Sequence, residues 1–116
     1  MTREYDKLVR DRIPDVIRAD GERPVTHAAT GEEYRRRLRE KLVEEATEFA
    51  EDGELAELAD VLAVFDAMCD AVGTTPEEVR RLGAEKAAER GGFSDGVVLE
   101  RVETDPTDGF ENADSR

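Results

Sequence analysis

Between Leu42 and Phe65 the chain reads LVEEATEFAEDGELAELADVLAVF, two helix-patterned stretches divided by Asp52-Gly53, with acids set among their apolar residues. Stepping about 100° per residue from Leu38, Leu42, Glu45 and Phe49 all fall within about 40° on one stripe. Glu45 therefore lies in the middle of an apolar face. On the second stretch Val61, Val64, Phe65 and Met68 form an apolar arc, and Glu57 falls between Val64 and Val61 by the same step of about 100°. Asp52-Gly53 supplies a helix-ending glycine, so Glu54 begins the next helix at once and the two arms run antiparallel. At a rise of about 1.5 Å per residue from Gly53, Glu48 and Glu57 stand about 7 and 6 Å down their arms, and Glu45 and Asp60 about 12 and 10 Å.

Four carboxylates at two matched levels in an apolar cleft would protonate or destabilise the fold unless a cation joined them. Neither face carries a lysine or arginine by this count. An oxygen-only donor set suits magnesium, with manganese as a substitute, and magnesium commonly bridges protein acids to phosphate oxygens. Glu44, Glu51 and Glu54 read as solvated surface in a chain holding 30 acids.

A chain of 116 residues supports one domain. Leu, Ile, Val and Phe make up only about 22% of it, close to the level at which high charge leaves a chain unfolded. The second arm is apolar over more than half its circumference, more than one facing helix covers. A homodimer or larger homo-oligomer is expected to complete the core. A net charge of −13 disfavours nucleic acid and anionic membrane as partners. Arginine outnumbers lysine by 14 to three, a balance we read as adaptation to a salt-rich, halophilic cytoplasm. Cys69 is the single cysteine, which excludes an intramolecular disulfide and fits a reducing, cytoplasmic compartment. There is no membrane-spanning run and no signal-peptide core.

Along the rest of the chain, Pro14 opens a short helix that Gly21 ends. Residues 25–28 and VVLERV at 97–102 have the composition of strands and would pair as a minor β element. Thr30 with Glu33 and Thr75-Pro76 with Glu78 are helix-start signals, placing one helix from Gly31 and another from Pro76 to about Arg90. Arg35, Arg36, Arg37 and Arg39 read as partners of neighbouring acids, and His27 as non-catalytic. Residues 103–116 are polar and acidic, the composition of a disordered tail following a domain at 1–102.

The pattern Glu44-Glu45-x-x-Glu48 followed by Glu57-x-x-Asp60 resembles the signature of the all-α nucleoside triphosphate pyrophosphatases, the MazG-like superfamily. KLVRDRIP at 7–14 and Lys86-x-x-x-Arg90-Gly91-Gly92-Phe93 are similar to the opening and closing motifs of its phosphoribosyl-ATP pyrophosphohydrolase-like subgroup. The resemblance spans residues 7 to about 100. It implies a mostly all-α fold and magnesium-dependent hydrolysis of a nucleotide substrate between its α and β phosphorus. It also implies Glu45, Glu48, Glu57 and Asp60 as metal ligands, and Lys86, Arg90, Lys7 and Arg10 as phosphate-binding cations. Glu45 or Glu48 would act as the catalytic base. Only eight residues separate Glu48 from Glu57, fewer than in many members, so substrate selection by that connection does not carry over. The alternatives are hydrolysis of phosphoribosyl-ATP in histidine biosynthesis and a non-catalytic acidic helical interaction module.

Overall fold

The computed structural model describes residues 1–104 of the chain, so residues 105–116 of the expected tail lie outside the described part. Four helices follow in order: α1 (Ile13–Ala19), α2 (Gly31–Asp52), α3 (Leu55–Val72) and α4 (Pro76–Arg90). The chain divides into two compact units, one from Met1 to Gly83 and one beginning at Ala84.

Helix α1 forms where Pro14 sits in the first turn and spends no hydrogen bond there. Helix α2 starts at Gly31 with Thr30 as its extended N-cap residue, although the Thr30 side chain makes no capping hydrogen bond. Helix α4 has the capping bond the sequence anticipates: the Glu78 amide donates to Thr75 Oγ1 at 3.1 Å. Between α2 and α3 the chain turns at Gly53, whose φ of +67° is left-handed and whose amide donates to the Phe49 carbonyl at 2.7 Å. A side chain at that φ would be strained, which is why glycine stands there.

In the first unit α2 and α3 pack on each other. Leu38, Val64 and Cys69 are its buried apolar residues, and Glu45 is buried among them. The stripe expected from Leu38 is therefore real, although most of its other members are only half-buried. Leu55, Leu58 and Leu62 on α3 remain exposed, flanking an open apolar groove of about 630 Å³. Burial pushes the Cys69 thiol above its ordinary pKa, in keeping with a core role rather than a reactive one.

The second unit comprises the end of α4 and an irregular segment, and every described residue in it is exposed. The minor β element is corrected here. Among the described residues there is no strand, and neither 25–28 nor 97–102 forms a ladder. Their β-branched composition favours an extended backbone, but a strand needs a hydrogen-bonded neighbour and these segments have none. No helix among the described residues is long and apolar enough to cross a membrane.

Candidate metal centre

The 3.6-residue period of α2 carries Glu45 and Glu48 to one side, and Glu44 follows them at its edge. One carboxylate oxygen from each of Glu44, Glu45 and Glu48 lies within 4.8 Å of the other two. Glu45 is the most enclosed, its side chain 9% exposed. Its Oε2 is buried and has no hydrogen-bond donor among the described residues, and the same is true of Glu57 Oε1 on α3. Such orphaned acceptors are uncommon in folded proteins and mark strain, catalysis or an ion.

Electrostatics reflect the crowding. A shared hydrogen bond and charge repulsion with Glu45 raise the Glu48 carboxyl above its usual pKa. Glu57 is raised as well, by burial first, then by a hydrogen bond with Asp52 and by the charge of Glu48. Its dependence on Glu48 is the electrostatic link between the two helices. Glu44 runs the other way. Burial pulls it upward, but the hydrogen bond from Lys7 and the charge of Lys41 outweigh that and lower it.

The expectation that no lysine or arginine reaches these faces is wrong. Lys41 stands one turn before Glu45 on α2, and its Nζ lies 3.1 Å from Glu45 Oε1 and 3.4 Å from Glu44 Oε2. Its position in the i, i+4 relation to Glu45 was available in the sequence. A half-buried lysine threads its methylenes along apolar surface while its ammonium reaches the acids, so a helical-wheel angle understates its reach.

Two further cations come from the N-terminal segment. Lys7 Nζ donates to Glu44 Oε2 at 3.0 Å, and Arg10 Nη2 donates to Asp60 Oδ1 at 2.7 Å. The structure thus brings Lys7 and Arg10 to the acids. It joins Glu45 to Glu48 but leaves Glu57 and Asp60 outside that 4.8 Å cluster: Glu57 feels the charge of Glu48, and Asp60 engages Arg10. Glu44, which reads as surface in the sequence, belongs to the cluster. Lys86 and Arg90 lie on the part of α4 within the second unit. His27 faces Glu33 at 2.8 Å, away from any nucleophile pattern.

The first unit therefore presents a helical acid cluster with buried, unpartnered oxygens and three cations at its edges, the makings of a carboxylate metal centre. Comparison with known proteins adds a partial likeness. An uncharacterized protein of Mycolicibacterium smegmatis is 50% identical over 42 residues, which cover 36% of this chain and 43% of that protein. The matched stretch is thus under half the length of that relative. No family model matches the chain, and no solved structure matches it.

Proposed function

We propose that this chain is a divalent-metal-dependent nucleoside triphosphate pyrophosphohydrolase, cleaving the α–β phosphoanhydride to a nucleoside monophosphate and pyrophosphate. The observation that carries this proposal is the pair of buried orphan oxygens, Glu45 Oε2 and Glu57 Oε1, beside the Glu44/Glu45/Glu48 cluster. Leaving buried acid oxygens without partners destabilises the fold, and a cation would satisfy them. The donor set is all oxygen, which fits magnesium or manganese.

Glu45, Glu48, Glu57 and Asp60 would hold the ion, with Glu44 alongside. When bound, it would supply charge neutralisation on the phosphoryl oxygens and a more acidic water. Glu48 would accept the proton from the attacking water. Lys7 and Arg10 would bind phosphate oxygens, and Lys86 and Arg90 are further phosphate-binding candidates through their motif.

The active molecule is a homo-oligomer in this proposal, with the α2/α3 hairpin completed by a second copy. Leu55, Leu58 and Leu62, at i, i+3 and i+7 on α3, form an exposed apolar row. An isologous contact would oppose that row to itself. A non-catalytic acidic module would keep its acids on solvated faces, which does not account for a carboxylate as enclosed as Glu45.

The deciding experiment measures pyrophosphate release from a panel of nucleoside triphosphates and phosphoribosyl-ATP in concentrated potassium chloride, with and without magnesium. Magnesium-dependent release from a triphosphate supports the proposal, and preference for phosphoribosyl-ATP would reassign the substrate. No release from folded protein rejects the activity.

A further inference from the structure

Residues 6–10 cross from one helix of the packed pair to the other, held by ion pairs. Asp6 accepts from Arg37 on α2 twice, through its carbonyl and Oδ1, each at 2.9 Å. Lys7 then reaches Glu44 on α2, and Arg10 reaches Asp60 on α3. The backbone enters this strap through Asp6 at a φ of +46°, a left-handed conformation that aspartate tolerates better than most residues. At the far end the Ile13 amide donates to the Arg10 carbonyl at 3.0 Å, tying the strap to α1.

We propose that Lys7 and Arg10 are exchangeable counter-ions: without a divalent ion they hold Glu44 and Asp60, and once the ion takes those carboxylates they turn to the substrate's phosphate oxygens. The inference rests on the metal-dependent function proposed above. Charge supports it. Six carboxylates, Glu44, Glu45, Glu48, Asp52, Glu57 and Asp60, stand against the three cations Lys7, Arg10 and Lys41. The acids outnumber the cations, which leaves net negative charge to attract a divalent ion.

Differences in exposure separate the cation that stays from those that move. The Lys41 side chain is 15% exposed and paired to the enclosed Glu45, whereas Lys7 is 42% and Arg10 63% exposed. Exposed pairs are weak enough to exchange, because water and salt solvate each partner when they separate. Arg37, 13% exposed, fixes Asp6. With the strap fixed to α2 at Asp6 and its far end running into the turn that opens α1, exchange needs the rotation of two long side chains. Each would swap a carboxylate for a phosphate oxygen, keeping a charge-assisted hydrogen bond in both states.

Binding of ion and phosphate is then coupled, each making room for the other. Removing the two cations should tighten the ion and weaken the phosphate, opposite effects that loss of a merely structural strap would not produce. The test uses Lys7→Gln/Arg10→Gln and the milder Lys7→Gln, both checked for folding by circular dichroism. Mn2+ binding is followed by electron paramagnetic resonance without nucleotide at low salt. Binding of a non-hydrolysable α,β-methylene nucleotide is followed by calorimetry at saturating magnesium. The double variant is expected to bind Mn2+ about three- to tenfold more tightly and the nucleotide at least about tenfold more weakly. The single variant is expected to show smaller shifts of the same signs. Mn2+ binding that is unchanged or weaker in the folded variants overturns the exchange and leaves the metal site standing. Absence of Mn2+ binding in the wild type as well as the variants overturns both.

Discussion

The two halves of α2 treat their acids in opposite ways. In the N-terminal half Glu32 takes Arg35 and Arg39, Glu40 takes Arg36, and Glu33 takes Arg37 and His27. Hydrogen bonds to these cations lower the carboxyl groups of Glu32 and Glu33. In the C-terminal half three carboxylates crowd together, Glu48 and, across on α3, Glu57 are raised, and one buried oxygen each of Glu45 and Glu57 has no donor among the described residues. Both halves are rich in acid; what separates them is how fully the chain itself balances the charge. An acid run is thus informative only where the fold withholds its counter-charge.

The contrast breaks most completely if Glu45 and Glu57 are both replaced by leucine. Activity should fall by at least about a hundredfold, since the ligand set and the charge that neutralises the phosphate are lost. The thermal midpoint should nevertheless rise, by about 5 °C for a domain this small, as buried acids give way to apolar contact. A stable double variant that keeps wild-type pyrophosphate release would refute the metal centre.

Lys41→Met is expected to be next in size. It leaves Glu45 enclosed without its cation, destabilising the metal-free protein by about 2 kcal/mol. Magnesium should restore much of that loss, so the readout is denaturant unfolding with and without the ion. An equal loss in both conditions would make Lys41 a packing residue only.

The pH dependence sharpens the comparison further. Glu48 and Glu57 are raised in the fold, so their contribution is fully present below the unfolded carboxyl pKa of about 4.3 and is lost as pH rises through their folded values. For Glu32 and Glu33, lowered in the fold, the contribution is present above that unfolded value and is lost as pH falls through their folded values. Without metal, Glu48→Gln should therefore gain on the wild type as pH rises from 4 to about 7, measured by urea midpoints. Glu32→Gln should instead lose its deficit as pH falls. Parallel curves for the two variants would mean that the two halves do not differ in charge balance.

The smallest effect should come from Arg39→Ala. Glu32 keeps Arg35, and exposed pairs are screened, so in molar salt the thermal midpoint should not change measurably. A clear drop would show that the network of the N-terminal half acts as a unit.

Much of this was legible in the sequence. The stripe through Leu38 and Glu45, the glycine turn at Gly53, the start of α4 at Pro76 and the helix-face partners of the arginines all follow from local spacing, because helix geometry is set by neighbours three and four residues away. The enclosure of Glu45 and the partial burial of Glu57 follow from their places on apolar faces. Lys41 was not, because its reach depends on a long side chain lying along the helix surface rather than on the direction of its Cα–Cβ bond. Glu44 looked like surface because the nearer of its two cations, Lys7 at 3.0 Å, lies 37 positions away along the chain. The strands at 25–28 and 97–102 failed for the complementary reason. Extended propensity is local, but a ladder partner is not.

Sequence alone determined the helices, their ends, and which acids would stand on an apolar face, all consequences of residue type repeated at a fixed angle. Only the tertiary structure decided how those acids are balanced: the N-terminal strap spanning α2 and α3, and one oxygen each of Glu45 and Glu57 left without a donor among the described residues. Charge balance in a cleft depends on which groups from distant parts of the chain arrive within a few ångströms and on how much water remains between them. Neither is encoded in the spacing of any one segment.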